Sequence, residues 1–176
     1  ILSLCRPESL EPVLDAIPSD VLVNAICRRS ADMPSYLIGG LLAGKRVDVL
    51  ALLVRGERIE ITPFLAAKEV PDELCEVVAD RLVGAYTGTG PLYSGAISSL
   101  SLQKAIVDKI CAVMDDQRAY VALQTILSSE PIVVHILKTK EPKCISVLSY
   151  FVLSHDQAKI TDLFADSWVQ NALCNA

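Results

Sequence analysis

Prolines paired with capping residues recur along this chain at short intervals, and they constrain its fold more than any other feature. Proline suits the first turn of a helix, where its missing N–H costs no hydrogen bond, but it breaks a helix interior. Thr62-Pro63, Ser129-Glu130-Pro131 and Glu141-Pro142 each stand immediately before an apolar run. The sequence therefore predicts many short helices, each beginning close to one of these signals.

Between the signals, apolar residues recur at helical intervals. Leu102, Ile106 and Ile110 are four positions apart, which keeps them on one helix face. Val113 follows three positions later and continues the same stripe. Segments with the alternation of a strand, such as 58–61, are short. The patterns predict about 11 to 13 short helices, over residues 7–17, 19–30, 33–44, 45–55, 62–69, 71–84, 91–99, 101–114, 116–128, 130–138, 142–153, 155–164 and 166–174.

The short connections between these helices indicate the fold class. Turns of about two or three residues force consecutive helices to pack antiparallel, as they do in an α-solenoid. Gln117, Pro142 and Ser167 each begin a predicted helix and are 25 residues apart, which suggests helix-pair repeats. We therefore predict an all-α fold with a solenoid-like, helical-repeat stack. An irregular helical bundle is the alternative.

Length and glycine content bear on domain organisation. The chain has 176 residues, of which 52% are hydrophobic, so it can bury one sizeable core. We predict a single all-helical domain over 1–176, with possible sub-halves 1–86 and 91–176 joined by the Gly-rich stretch 83–95. Gly88-Thr89-Gly90 lacks the Lys-Ser/Thr of a phosphate-binding loop, so no nucleotide cofactor is expected.

Titratable residues give no catalytic or metal-binding pattern. His135 lies in an apolar run, where we expect a core histidine that hydrogen-bonds to a backbone group. Neither of the two histidines has a cysteine or carboxylate at the spacing of zinc ligands. Acidic pairs such as Asp72-Glu73 and Asp115-Asp116 fit the first turns of helices, where the helix dipole favours negative charge. We therefore predict no catalytic residue, metal or cofactor, and a protein that is not an enzyme. An enzyme or ligand carrier would need a deep pocket, for instance one lined by His135.

Charge and cysteine usage bear on partners and location. The net charge is −5, which disfavours a dedicated phosphate-binding surface. The six cysteines form no CxxC pair and lie mostly in apolar runs, so we expect reduced thiols and an intracellular protein, either cytoplasmic or nuclear. The longest uncharged stretch, 82–103, contains four glycines and many hydroxyl residues, so no membrane segment is predicted.

Basic residues at predicted helix ends and turns are the candidate interaction surface. Helix C-termini attract cations for structural reasons, but a row of such ends can also bind an acidic partner or an RNA backbone. Trp168 lies on the last predicted helix, where it either packs between helices or forms a contact surface. The candidate interaction residues are Arg28, Arg29, Lys45, Arg46, Lys138, Lys140, Lys143 and Trp168.

Two segments, 117–127 and 167–173, resemble the RNA-reading helix of Pumilio-type repeats. That family places a small polar residue, a stacking aromatic and a Gln or Glu on one helix face. The resemblance implies a helical-repeat fold that binds RNA. Gln124 and Gln170 are each one position away from the family's spacing, and 25 residues is shorter than its repeat. We therefore assign no base-reading role to either glutamine.

These observations favour a non-enzymatic interaction or scaffold module that binds a protein partner within a larger assembly and takes no small-molecule substrate. An RNA-binding helical-repeat protein is the alternative, because of the basic residues and the Pumilio-type resemblance.

Overall fold

The computed structural model describes residues 16–28, 35–43, 46–87, 90–93, 95–127 and 129–154. Across these ranges the chain is helical and contains no strand, so the all-α prediction is confirmed. The predicted helices over 155–164 and 166–174, and nearly all of 7–17, lie outside the described residues. The described helices are, in chain order, α1 (Ser19–Cys27), α2 (Ser35–Ala43), α3 (Val47–Arg55), α4 (Thr62–Ala66), α5 (Asp72–Gly84), α6 (Leu100–Val113), α7 (Asp116–Leu123), α8 (Glu130–Thr139) and α9 (Pro142–Ser154).

Most of the predicted helix starts are correct. Pro63 and Pro131 lie in the first turns of α4 and α8, and Asp115 caps α7 by accepting a hydrogen bond of 3.0 Å from the backbone N–H of Arg118. Ser19 follows Pro18 and is a residue type that often caps helices, so the sequence also predicts it as an N-cap. This prediction was wrong. Ser19 is the first residue of α1, and its hydroxyl donates to the Asp48 carboxylate instead of a backbone group.

The helices pack mainly against near neighbours in the chain. Helices α1 and α2 both contact α3, α3 contacts α5, and α5 contacts α6. Helix α6 then contacts α7, α8 and α9, and α9 also packs against α7 and α8. One continuous cluster of buried apolar side chains extends from Leu22 on α1 to Phe151 on α9. Among the described helices, α5 and α6 share the most extensive interface, and it joins the two sides of the Gly-rich stretch.

The apolar stripe of α6 is largely as predicted. Leu102, Ile106 and Ile110 are fully buried. The assignment of Val113 to the same buried stripe was wrong, because this side chain is 57% exposed. Val113 is the last residue of α6, beyond the part of the helix that its neighbours cover.

The predicted helix over 91–99 does not form. Backbone groups of this segment bond to distant elements, since the N–H of Leu92 donates to the carbonyl of Ala122 and the N–H of Ser98 donates to that of Leu65. The segment begins at Gly90, whose φ of +83° lies in the left-handed region that favours glycine. It ends at Ser99, whose hydroxyl caps α6.

The predicted helix over 62–69 is also too long. Helix α4 ends at Ala66, because Ala67 is extended, with φ −69° and ψ 135°. By contrast, the predictions over 71–84, 101–114 and 130–138 agree with the structure within one residue at each end.

Candidate functional site

A groove of about 650 Å³ runs between α5 and α6 on their outer side. Asp72, Glu76 and Asp80 line it from α5, where their four-residue spacing places them on one helix face. Small side chains separate the two charged walls. The floor consists of Cys75 and Ala79 of α5 together with Ala105 and Ala112 of α6; the wall from α6 consists of Ser101, Lys104, Asp108 and Lys109.

The sequence of α5 explains why this face carries charge. Leu74, Val77 and Val78 are buried and hold α5 against its neighbours, so the acidic stripe is left facing solvent. Small residues on both helices permit close approach of the helix axes, and they leave a shallow apolar floor that a partner can contact. The regular spacing of the acids was visible in the sequence, but only the packing of α5 on α6 turns it into one wall of a groove.

The groove has an acidic balance. Four carboxylates and two ammonium groups line it, which gives a formal net charge of −2. Lys109 forms an ion pair with Asp80 across the groove. Within the described part of the chain, no ion pair engages Asp72 or Glu76. The α5 wall therefore presents two carboxylates that are open to a cation from outside.

His135 joins this region from α8. Its Nε2 lies 3.0 Å from Oδ1 and 3.2 Å from Oδ2 of Asp108, so the imidazole bridges α8 to the α6 wall of the groove. The predicted backbone partner was therefore wrong, because a carboxylate 27 residues earlier in the chain holds the ring. The His135 side chain is 17% exposed, but the Asp108 side chain is 53% exposed, so the bond lies at the protein surface. Among the described residues, no group of three His, Cys, Asp or Glu side chains is arranged to hold a metal ion.

Arg46, one of the predicted interaction residues, is used inside the fold. Its guanidinium donates to the carbonyl of Ile17 at 2.9 Å, to the hydroxyl of Ser19 at 2.7 Å and to Asp48 at 3.4 Å. Its side chain is 13% exposed. The hydrogen bonds of Ser19 and Arg46 hold the pKa of Asp48 below its ordinary value, against an opposing effect of burial. This network ties the start of α1 to the start of α3.

The other predicted interaction residues lie elsewhere. Arg28 is exposed at the C-terminal end of α1. Arg29, Lys45 and Trp168 lie outside the described residues.

Three predicted lysines gather at one turn. Lys138, Lys140 and Lys143 are all exposed around the connection between α8 and α9. Lys140 ends α8 in the left-handed conformation, with φ 53°, so the chain reverses sharply at this point. These three lysines, called the basic patch below, flank the exposed Glu141, and none of them lines the acidic groove.

No protein-family model matches the chain, and the comparisons with curated proteins and with solved structures gave no match either. In the part of the chain that the structure describes, none of the helices combines the length and the apolar character that crossing a bilayer requires.

Proposed function

We propose that this protein is a non-enzymatic interaction module, a solenoid-like stack of helices that docks a protein partner in the groove between α5 and α6. The packing order supports the stack, since α1, α3, α5 and α6 contact one another in succession along the chain. The observation that carries the docking proposal is the groove itself, with a small-residue floor between charged walls.

The occupant that fits this groove is a basic amphipathic helix. Two carboxylates on the α5 wall, Asp72 and Glu76, form no ion pair with any other described residue and are positioned to meet Lys or Arg side chains. Exposed ion pairs contribute only about 0.2–1 kcal/mol each. Most of the affinity must therefore come from apolar side chains of the partner that cover the floor, at roughly 25 cal/mol per Å² of apolar surface removed from water. Charge then selects the partner and its orientation.

Site-specific photo-cross-linking tests this proposal. In one variant a benzophenone amino acid replaces Ala112, an exposed groove residue. In the control variant the same amino acid replaces Arg55, an exposed residue outside the groove lining. Nuclease-treated native lysate is irradiated with each protein, and the cross-linked peptide is sequenced. We expect a basic, amphipathic segment from position 112 and none from position 55.

Two matched charge reversals sharpen the experiment. Glu76→Lys reverses a groove carboxylate, whereas Glu60→Lys makes the same change at an exposed residue outside the groove lining. We expect the cross-link from position 112 to be lost with Glu76→Lys and retained with Glu60→Lys. Equal cross-linking by both variants, or an acidic or uncharged captured segment, would contradict the proposal.

A second candidate function, RNA binding, rests on the basic patch of Lys138, Lys140 and Lys143. Lysines that contact phosphates release counterions, so the logarithm of the binding constant falls linearly with the logarithm of the salt concentration. The slope is about −0.7 per phosphate contact on single strands. Fluorescence anisotropy of a labelled single-stranded RNA against salt tests this candidate. Replacing all three lysines by alanine should then make this slope less negative by about 2. A slope near zero for the unmodified protein would exclude RNA binding through this patch.

We also propose an intracellular location, in the cytoplasm or nucleus. The four described cysteines, Cys27, Cys75, Cys111 and Cys144, are free thiols, and Cys27 is exposed. Free thiols of this kind are typical of a reducing compartment.

A further inference from the structure

The groove between α5 and α6 has a direction, because both helices begin at the same end of it. Asp80 and Lys109, which form the ion pair across the groove, each lie four residues before the last residue of their helix. Near the other end, the N–H of Ser98, two residues before α6, donates to the carbonyl of Leu65 on α4, the helix that precedes α5. Helices α5 and α6 are therefore parallel, and the antiparallel packing predicted for consecutive helices does not apply to this pair, which the long segment 85–99 connects.

The two sides of the groove are also in register. Every groove residue of α5 has a counterpart 29 positions later in the lining from α6, and Asp80 and Lys109, which touch, have this same offset. From the N-terminal end of the groove to its C-terminal end, the pairs are Asp72 with Ser101, Cys75 with Lys104, Glu76 with Ala105, Ala79 with Asp108 and Asp80 with Lys109. A constant offset of this kind is the pattern of two parallel helices.

The carboxylates differ between the two ends of the groove. At the C-terminal end, Asp80 is paired with Lys109, and Asp108 is hydrogen-bonded to His135. At the N-terminal end, the exposed carboxylates of Asp72 and Glu76 form no ion pair with any described residue. They are four residues apart, about 6 Å along α5, so one helix can present two basic side chains to them at once. The charge that a partner can use is thus concentrated at one end.

We infer that the docked partner helix runs antiparallel to α5 and α6, and that two Lys or Arg residues in its last two turns pair with Asp72 and Glu76. This inference rests on the proposed docking of a basic amphipathic helix in the groove. It adds the direction of the partner and the position of its basic residues.

Helix dipoles favour this direction. Because α5 and α6 are parallel, their positive N-terminal ends lie together, and so do their negative C-terminal ends. An antiparallel partner places its own negative C-terminal end beside the two N-termini. Its basic residues then also lie where its own dipole favours positive charge. A parallel partner would need those basic residues in its first two turns, where its dipole opposes them.

Lys104 restricts the other flank of the partner helix. It lies on the α6 wall, opposite Cys75 and therefore close to the level of Glu76, and it forms no ion pair with a described residue. A third basic residue of the partner on this flank would be repelled, whereas an acidic one would be attracted. The partner therefore has its two basic residues on the flank that faces α5, and a neutral or acidic residue on the flank that faces Lys104.

Two synthetic peptides of about 16 residues, roughly four helical turns, test the direction. They have the same composition and the same stripe of leucines, and both are stapled so that circular dichroism shows equal helicity. One carries two lysines four residues apart in its last two turns; the other carries them in its first two turns. Fluorescence anisotropy at low salt measures the affinity of each for the full chain. We expect the peptide with C-terminal lysines to bind about two- to fivefold more tightly.

Paired variants assign the effect to the two carboxylates. Asp72→Asn with Glu76→Gln should weaken binding of the peptide with C-terminal lysines by about two- to tenfold. Glu60→Gln with Glu69→Gln removes the same amount of charge from exposed residues outside the groove lining and should leave the affinity unchanged.

Cross-linking of the same peptide shows its direction. A benzophenone amino acid is placed at Ser101 or at Ala112, exposed groove residues near opposite ends of α6. We expect the lysine-bearing end of the peptide to be linked from position 101 and its other end from position 112. The reverse pattern, or tighter binding of the peptide with N-terminal lysines, would overturn the inference while leaving docking in the groove intact. Failure of both peptides to bind would contradict the docking itself and the inference with it.

Discussion

Arg46 offers the sharpest single test of how the first described helices are held together. We predict that Arg46→Ala destabilises the protein by about 2–4 kcal/mol. The two short hydrogen bonds, to the carbonyl of Ile17 and the hydroxyl of Ser19, are largely shielded from water. Hydrogen bonds from a charged donor contribute about 1.5–3 kcal/mol each, and such contributions are not fully additive. The 3.4 Å contact with half-exposed Asp48 adds less than about 1 kcal/mol.

Urea denaturation followed by circular dichroism measures this loss as a change in midpoint at constant slope. Arg46→Lys should recover little of the stability, because a lysine ammonium lacks the planar fork that reaches three acceptors at once. Arg55→Ala is the matched control at an exposed position and should change the stability by less than about 0.5 kcal/mol. A loss below about 1 kcal/mol for Arg46→Ala would refute the assignment of Arg46 as the tie between α1 and α3.

Three further predictions concern the core, the acid response and the loop before α6. Ile106→Ala should cost about 2–5 kcal/mol in urea, whereas Val113→Ala should cost less than about 0.5 kcal/mol; equal losses would mean that the face of α6 is wrongly assigned. The pKa of Asp48 in the folded protein lies below its ordinary value of 3.8, so the ionised carboxylate stabilises the fold at pH values above 3.8, and this stabilisation is lost as pH falls through the folded-state pKa. Asp48→Asn should therefore reduce the acid-induced loss of stability by under about 1 kcal/mol. In Gly95→Ala the new methyl would lie 2.6 Å from the Tyr93 ring, but Gly95 is exposed and the ring is the end of a side chain that can turn aside, so the loss should stay below about 1 kcal/mol; Gly84→Ala meets no neighbouring atom and should be neutral or stabilising in the same melts.

The helices could be predicted from the sequence because their determinants are local. Proline cannot occupy a helix interior, and Asp115 caps the helix that follows it, so Pro63, Pro131 and Asp115 mark real helix starts. Local periodicity also identified Leu102, Ile106 and Ile110 as core residues. It could not show where along α6 the neighbouring helices stop covering the stripe, and Val113 was therefore misassigned.

The loop and the candidate site could not be predicted, because long-range contacts define them. Residues 91–99 contain apolar positions at helix-like spacing, but their backbone bonds go to Leu65 and Ala122, which no local pattern identifies. The sequence places Asp72 in a first helical turn, and that assignment is correct. Its role as a wall of the groove depends on the packing of α5 on α6. Likewise, the contact of His135 with Asp108 spans 27 residues.

Hydrogen–deuterium exchange of the protein with and without the cross-linked partner segment tests the central claim most directly. If a basic helix docks between α5 and α6, amide protection should increase within Asp72–Gly84 and Leu100–Val113. Protection should stay unchanged around Lys138–Lys143. Increased protection at that turn, with none on α5 or α6, would contradict the account and assign binding to the basic patch.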